Sequence, residues 1–187
     1  MRIIGGKDKG KRLTYVNSSI TRPLRDLVKE NIFNVIIHSK LIDIDINNSN
    51  VLDLYSGTGA FGIECISRDA KSVTFVENDK MALEILNKNL EILSSERNKL
   101  VVSSKIDNFL TKINKNYDFN IIFFDPPYAN TEYKKYLEYI GKNKIHAKKH
   151  IIILHRDAKK DDDLTQVIKI LFTRKYGRSK IFFGIFY

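Results

Sequence analysis

The chain has 187 residues, enough for one domain that buries a sizeable core, and its 43% hydrophobic and 29% charged residues with only nine Gly and three Pro exclude collagen-like, linker-like and disordered classes. Thirty-two Lys and Arg against 22 Asp and Glu leave a net charge of +10, which favours a polyanionic partner. No apolar run approaches the ~20 residues of a membrane span, the start Met1-Arg2-Ile3-Ile4-Gly5-Gly6 lacks the apolar stretch of a leader, and the lone Cys65 excludes internal disulfides and Cys-based zinc sites. A soluble, unprocessed chain in a reducing cytoplasm is expected.

Residues 1–22 carry Gly5, Gly6 and Gly10 among short β-favouring stretches and are rich in cations, which predicts a small basic N-terminal β-hairpin appendage ahead of a main domain over 23–187. From Pro23 the apolar positions Leu24, Leu27, Val28, Ile32, Val35 and Ile36 recur at three and four, predicting a helix to about His38 with Thr21 as a cap. A polar loop over 43–50 follows. Apolar runs then alternate with helical patterns: strands at 51–55, 72–77, 100–103, 120–124 and 151–154, and helices near 60–68, 80–93, 106–113 and 132–140. Such alternation implies a doubly wound, mostly parallel sheet covered on both faces. Two β-rich runs, 167–174 and 180–187, flank Lys175-Tyr176-Gly177-Arg178-Ser179 and predict a closing antiparallel hairpin. The charge run Lys159-Lys160-Asp161-Asp162-Asp163 reads as a solvated loop.

The first strand runs into Asp53-Leu54-Tyr55-Ser56-Gly57-Thr58-Gly59-Ala60-Phe61-Gly62, where Gly57, Gly59 and Gly62 match G-x-G-x-x-G between strand and helix. There glycines permit a tight turn and close backbone approach, and the helix N-terminus offers N–H groups to a ligand. Glu77, closing the next strand before Asn78, stands where a carboxylate accepts hydrogen bonds from ribose hydroxyls. A dinucleotide and S-adenosylmethionine compete for this turn. Asp53 favours the second, because a carboxylate there would crowd a pyrophosphate but can bind the methionine ammonium. A nicotinamide oxidoreductase is the corresponding rival reading.

The fourth strand delivers Asp125-Pro126-Pro127-Tyr128 at the end of the sheet where ligands sit. Two prolines remove backbone donors and stiffen the loop, leaving it rich in acceptors. Asp125 and the Pro126 carbonyl can accept both hydrogens of an exocyclic amine, while Tyr128 offers a face for a planar base. A nucleobase amine is a poor nucleophile because its lone pair is delocalised. Two aligned acceptors favour a pyramidal nitrogen and aim the pair at a methyl carbon, a positioning and electrostatic effect.

With these motifs the sequence resembles the S-adenosylmethionine-dependent amino-methyltransferases, and more narrowly the bacterial 16S rRNA guanine-N2 methyltransferase family, through Arg2-Ile3-Ile4-Gly5-Gly6, Thr21-Arg22-Pro23, Asp26, Val28, Glu30, Phe33-Asn34, the turn from Asp53 to Gly62 and Asp125 to Tyr128. The resemblance spans nearly the whole chain. It implies a Rossmann-like seven-stranded sheet, a guanine N2 of small-subunit rRNA as target, and RNA contact by the basic N-terminal segment. Asp125, Pro126, Pro127 and Tyr128 are then the catalytic candidates, and Asp53, Tyr55, Ser56, Gly57, Thr58, Gly59, Glu77, Asn78, Lys105 and Ile106 the cofactor-binding ones. Arg2, Lys7, Lys9, Lys11, Arg12 and Arg22 are the RNA-binding candidates. The chain departs from the family after its third strand, where Lys105 stands in place of the usual Asp or Asn near the adenine; backbone and Ile106 are assigned that contact, with Asp107 as an alternative acceptor.

Rival activities are DNA adenine-N6 methylation, protein glutamine-N5 methylation, where Asn would be expected at 125, and a non-catalytic RNA-binding assembly factor on the same fold. His38, His146, His150 and His155 show no ligand spacing beyond one i, i+4 pair and are expected to be structural or exposed, and no metal is expected. Cys65 is read as a core residue. Tyr176, Arg178 and Lys180 could extend a nucleic-acid surface or simply form a solvated turn. A monomer acting on 16S rRNA or the small ribosomal subunit completes the expectation.

Overall fold

The structure is a computed structural model that describes residues 1–15, 24–94, 98–113 and 117–187. Its elements are α1 (Asp26–His38), a 3₁₀ turn (Ile46–Asn48), β1 (Asn50–Leu54), α2 (Ala60–Ser67), β2 (Ser72–Glu77), α3 (Lys80–Glu91), β3 (Asn98–Ser103), α4 (Ile106–Lys112), β4 (Ile121–Phe124), α5 (Tyr133–Lys142), β5 (Ile151–Asp157), β6 (Lys169–Tyr176) and β7 (Ser179–Ile185). The strands form one seven-stranded sheet in the order β3-β2-β1-β4-β5-β7-β6. The first five are parallel, and β7 runs antiparallel to both β5 and β6.

The two-residue alternation of each strand sends its side chains into two cores. Val51, Phe75, Ile121, Phe123, Ile151 and Ile153 pack with α1, α2 and α3, whereas Leu52, Leu54, Val76, Ile122, Phe124, Ile152 and Leu154 pack with α4 and α5. Because both faces are covered, the inner strands are nearly continuous apolar runs. Stacked Phe33, Phe61 and Phe123 rings, with centroids 5.2 and 4.0 Å apart, tie α1 and α2 to β4. Cys65 lies buried in the first core, as its apolar neighbours suggested. Among the described residues no helix is long and apolar enough to cross a membrane.

From α1 onward the expected elements are present, with instructive shifts. Helix α1 begins at Asp26 with Arg25 as its N-cap, and Thr21 and Pro23 lie outside the described residues. The terminal hairpin turns tightly over Gly177-Arg178, with Tyr176 opposite Ser179, instead of over five residues. Strand β5 continues three residues past its apolar run, through His155, Arg156 and Asp157, all of which are buried. The loop after β5 is not wholly solvated either, since the Asp162 side chain is 8% exposed.

The N-terminal residues turn back through one antiparallel bridge, Arg2 to Arg12, and they are fastened to the domain. Ile3 and Leu13 enter the first core. The Glu64 carboxylate of α2 accepts the Ile4 and Gly5 amides at 2.8 and 2.7 Å and pairs with the fully buried Lys29 at 3.1 Å and with Arg68 at 2.9 Å. A buried cation thus neutralises a buried anion whose remaining lone pairs are filled by backbone donors, the condition under which such a pair is tolerated. Asn89 of α3 bridges the Thr14 backbone to the Thr58 carbonyl, which fixes this segment beside the glycine turn.

Candidate active site

Strand β1 has β2 on one side and β4 on the other, so the crossovers leave it in opposite directions and open a crevice at its C-terminal end. Asp53 sits there, buried. Its Oδ2 accepts the Gly62 amide at 2.9 Å. A Cβ on Gly62 would stand 2.3 Å from the Phe75 ring and 2.9 Å from that same Oδ2, so only glycine lets α2 approach the strand this closely. The other oxygen, Oδ1, is buried without a hydrogen-bond partner among the described residues, as are the Ser56 Oγ and the Tyr55 hydroxyl. Burial pushes the Asp53 carboxyl well above the usual carboxylate range, and the charges of Asp125 and Glu77 add to the rise. Burial likewise raises the Tyr55 phenol.

The turn itself is set by backbone geometry. Tyr55 leaves the strand at φ 59°, and Gly59 caps α2 at φ 87°, where a side chain would meet Leu86 at 2.4 Å. Glu77, at the end of β2, fastens the turn from the neighbouring strand: one oxygen accepts the Gly57 amide at 2.8 Å and the other accepts the Asn78 and Asp79 amides at 2.8 and 2.9 Å. Asp79 then caps α3 by accepting from Ala82. Lys105 precedes α4 with an exposed side chain, and Ile106 behind it is buried. Three carboxylates, Asp53, Glu77 and Asp125, therefore lie at the ends of three adjacent strands, and among the described residues no Lys or Arg forms an ion pair with them. Such a crevice suits a cationic ligand able to donate to Asp53 Oδ1 and Ser56 Oγ.

Asp125 follows β4 and is held by its amide to the Leu54 carbonyl and by its Oδ1 to His155 Nδ1 at 2.8 Å. His155 is 6% exposed, and its Nε2 lies 2.9 Å from Ser179 Oγ on β7. Burial opposes the charged ring, but the Asp125 charge and hydrogen bond outweigh it and leave the His155 pKa above the ordinary histidine value. Tyr128 meets the His155 ring edge-on at 6.0 Å. The guanidinium of Arg156, 2% exposed, donates to the Pro127 and Tyr128 carbonyls at 3.3 Å each. It also pairs with Asp162 at 3.2 Å and lies 4.4 Å over the Tyr133 ring, whose hydroxyl donates to Asp162. The two prolines supply no N–H, so the Arg156 side chain from the neighbouring strand adds to the few bonds that hold this loop, through its carbonyls.

His155, Arg156, Asp162 and Ser179 were not among the candidate site residues. Their signal was available in one form: a polar His155-Arg156-Asp157 triplet directly continues an apolar strand at the end of the sheet where Asp125 lies.

The basic candidates divide into two groups. Lys11 donates to Asp8, to the Ile92 carbonyl and to Ser94, an internal tie that neutralises a buried carboxylate. Lys7 pairs with Asp69 and Arg2 with Asp26, both from exposed positions. Lys9 and Arg12 are exposed, and Arg22 lies outside the described residues. Arg178 pairs with Asp157 at 3.2 Å. His146 and His150 lie with ring centroids 4.1 Å apart and both contact the Ala147 carbonyl. Among the described residues no cluster of His, Cys, Asp and Glu could hold a metal ion.

The seven-stranded sheet, mostly parallel with an antiparallel end hairpin, is that of class I methyltransferases. The chain belongs to the family described as Conserved hypothetical protein 95, whose model matches residues 1–185. It is 39% identical over 130 residues to Ribosomal RNA small subunit methyltransferase D of Haemophilus influenzae, a match covering 68% of this chain and 64% of that relative, less than two thirds of its length. The like-named Buchnera aphidicola (subsp. Baizongia pistaciae) protein is 39% identical over 143 residues, covering 76% of this chain and 69% of the relative. Among solved structures, an Escherichia coli candidate methyltransferase superposes with a TM-score of 0.81 at 27% identity, over 98% of this chain and 96% of that one.

Proposed function

We propose that the chain transfers the methyl group of S-adenosylmethionine to the exocyclic N2 amine of a guanine in 16S rRNA, acting in the cytoplasm as a monomer on the rRNA or the small ribosomal subunit. The observation that carries the reading is the crevice between β1 and β4. Its acidic, part-orphaned side fits a sulfonium-bearing amino acid nucleoside, and its other side presents amine acceptors. The names of the relatives support rRNA as the substrate class.

When bound, S-adenosylmethionine supplies an electrophilic methyl carbon on a sulfonium. Asp53 and Ser56 would hold its amino acid end with the glycine-turn amides, Glu77 its ribose hydroxyls, and Ile106 with the backbone at Lys105 its adenine. Asp125 and the Pro126 carbonyl accept the two amine hydrogens and orient the nitrogen lone pair. Tyr128 stacks on the base, which must leave its neighbours at a cost of a few kcal/mol unless it is already unpaired. Arg2, Lys9, Arg12 and Arg22 supply phosphate contacts, and Lys11 fastens the segment that presents them.

Incubation with methyl-labelled S-adenosylmethionine and either 16S rRNA or small subunits, followed by base mapping, tests the proposal. Label at one guanine N2 is expected. Label on adenine N6 of DNA, on protein glutamine, or RNA binding without transfer would overturn it in favour of the corresponding rival.

A further inference from the structure

Asp125 has two carboxylate oxygens but only one is bonded among the described residues, and the partner that takes it is a buried histidine from the next strand. Asp125 just past β4, His155 near the end of β5 and Ser179 at the start of β7 lie on three adjacent strands, and their polar atoms form one line: Oδ1 to Nδ1 at 2.8 Å, then Nε2 to Oγ at 2.9 Å. An ionised carboxylate is acceptor-only, so Nδ1–H donates to it. The serine hydroxyl can donate to a neutral Nε2 or accept from a protonated one, so the line survives either charge state of the ring.

We propose that His155 is a positioning residue for methyl transfer: by holding Oδ1 of Asp125 it leaves Oδ2 as the acceptor for the target amine, and its protonation sets the pH dependence of the rate. The proposal rests on the amine-methylation reading of this site.

The charged groups around the ring are Asp125 from the β4 loop and Arg156 and Asp157 on its own strand, with neutral Ser179 and Tyr128 closing the remaining sides. The His155 proton is retained above the ordinary histidine pH because burial and Arg156 are outweighed by Asp125 and Asp157. As the methyl carbon bonds to nitrogen, the sulfonium bond breaks with its electron pair going to sulfur. The nitrogen then gains positive charge until one proton passes to Asp125 Oδ2. A protonated ring beside that carboxylate opposes the gain, so transfer is faster once His155 is neutral. The rate should rise as pH passes upward through the His155 pKa.

Three variants, read by methylation rate, binding affinity and NMR titration, test this. His155→Phe removes the Nδ1 donor and should lower single-turnover methylation of 16S rRNA roughly ten- to hundredfold, the scale of a misaligned catalytic group, with the apparent affinities for S-adenosylmethionine and RNA unchanged. His155→Asn returns a donor at the Nδ1 position without a titrating ring. It should recover most of the rate but lose the rise with pH. NMR titration of the ring should give a pKa above that of free histidine in the wild-type protein, falling in Asp125→Asn. A wild-type pH profile retained in His155→Asn, or a His155 pKa unmoved by Asp125→Asn, would overturn the inference while leaving amine methylation standing. Failure of the wild-type protein to methylate rRNA at any pH would remove the reading beneath it.

Discussion

Replacing Asp53 by Asn should make the protein without ligand more stable and its cofactor binding weaker. In the wild type Oδ2 is satisfied by Gly62 at 2.9 Å, whereas Oδ1 is buried and unpartnered among the described residues, close to the charges of Glu77 and Asp125. Asn can keep the Gly62 bond through its carbonyl oxygen and places a neutral NH₂ where the orphaned oxygen was. Removing a buried, unsatisfied charge is worth ~1–3 kcal/mol, so the variant should melt several degrees higher at neutral pH. The sign with pH follows from the direction of the shift. Burial raises the folded pKa of Asp53, so its favourable contribution belongs to the protonated form; it is fully present below the unfolded value and lost as pH rises through the folded one. The stability gap between Asp53→Asn and wild type should therefore open as pH climbs above the ordinary carboxylate range. A charge-assisted bond to the methionine ammonium contributes ~1.5–3 kcal/mol, so S-adenosylmethionine affinity should fall roughly ten- to a hundredfold. Thermal unfolding across pH with and without cofactor, and calorimetric titration, measure both effects. A variant less stable than wild type that binds the cofactor equally well would refute the assignment of Asp53 as a strained ligand-binding carboxylate.

Glu77→Ala should weaken S-adenosylmethionine roughly ten- to a hundredfold by the same arithmetic, and because Glu77 also holds the Gly57, Asn78 and Asp79 amides, calorimetry should find Glu77→Gln milder. Asp125→Asn should leave cofactor affinity alone and lower single-turnover methylation on the order of a hundred- to a thousandfold, the cost of one misdirected charge-stabilising group; an unchanged rate would make Asp125 a plain turn residue. Arg156→Ala takes the cationic partner from Asp162, which keeps the Tyr133 hydroxyl, and one donor each from the Pro127 and Tyr128 carbonyls, so denaturant unfolding should show a loss of ~3–5 kcal/mol. Neutralising Lys9 and Arg12 together should flatten the dependence of log RNA affinity on log salt by roughly 0.7–0.9 per phosphate contact, with thermal stability unchanged, whereas Lys11→Ala should lower stability through its lost contacts with Asp8, Ile92 and Ser94.

The sequence by itself determined the sheet, because near-continuous apolar strands and 3.6-residue helical patterns are local properties that burial on both faces imposes directly on composition. It also determined the two ends of the crevice. Glycine spacing before α2 and two consecutive prolines after β4 are backbone requirements, and backbone requirements are written in residue identity. Only the tertiary structure decided how these parts are held. Glu64 meets the Ile4 and Gly5 amides across about sixty residues of chain, Lys29 is buried against it, and Lys11 is spent on Asp8 and the end of α3. The β5 extension is the clearest case. His155 and Arg156 read as the polar end of an apolar strand, and hydropathy stops the strand at Leu154. Yet they are buried, because β4 on one side and β7 on the other bring Asp125, the Pro127 and Tyr128 carbonyls and Ser179 within hydrogen-bond reach. A buried polar group is stable only with its partners, and those partners arrive from other strands, so no local pattern announces them.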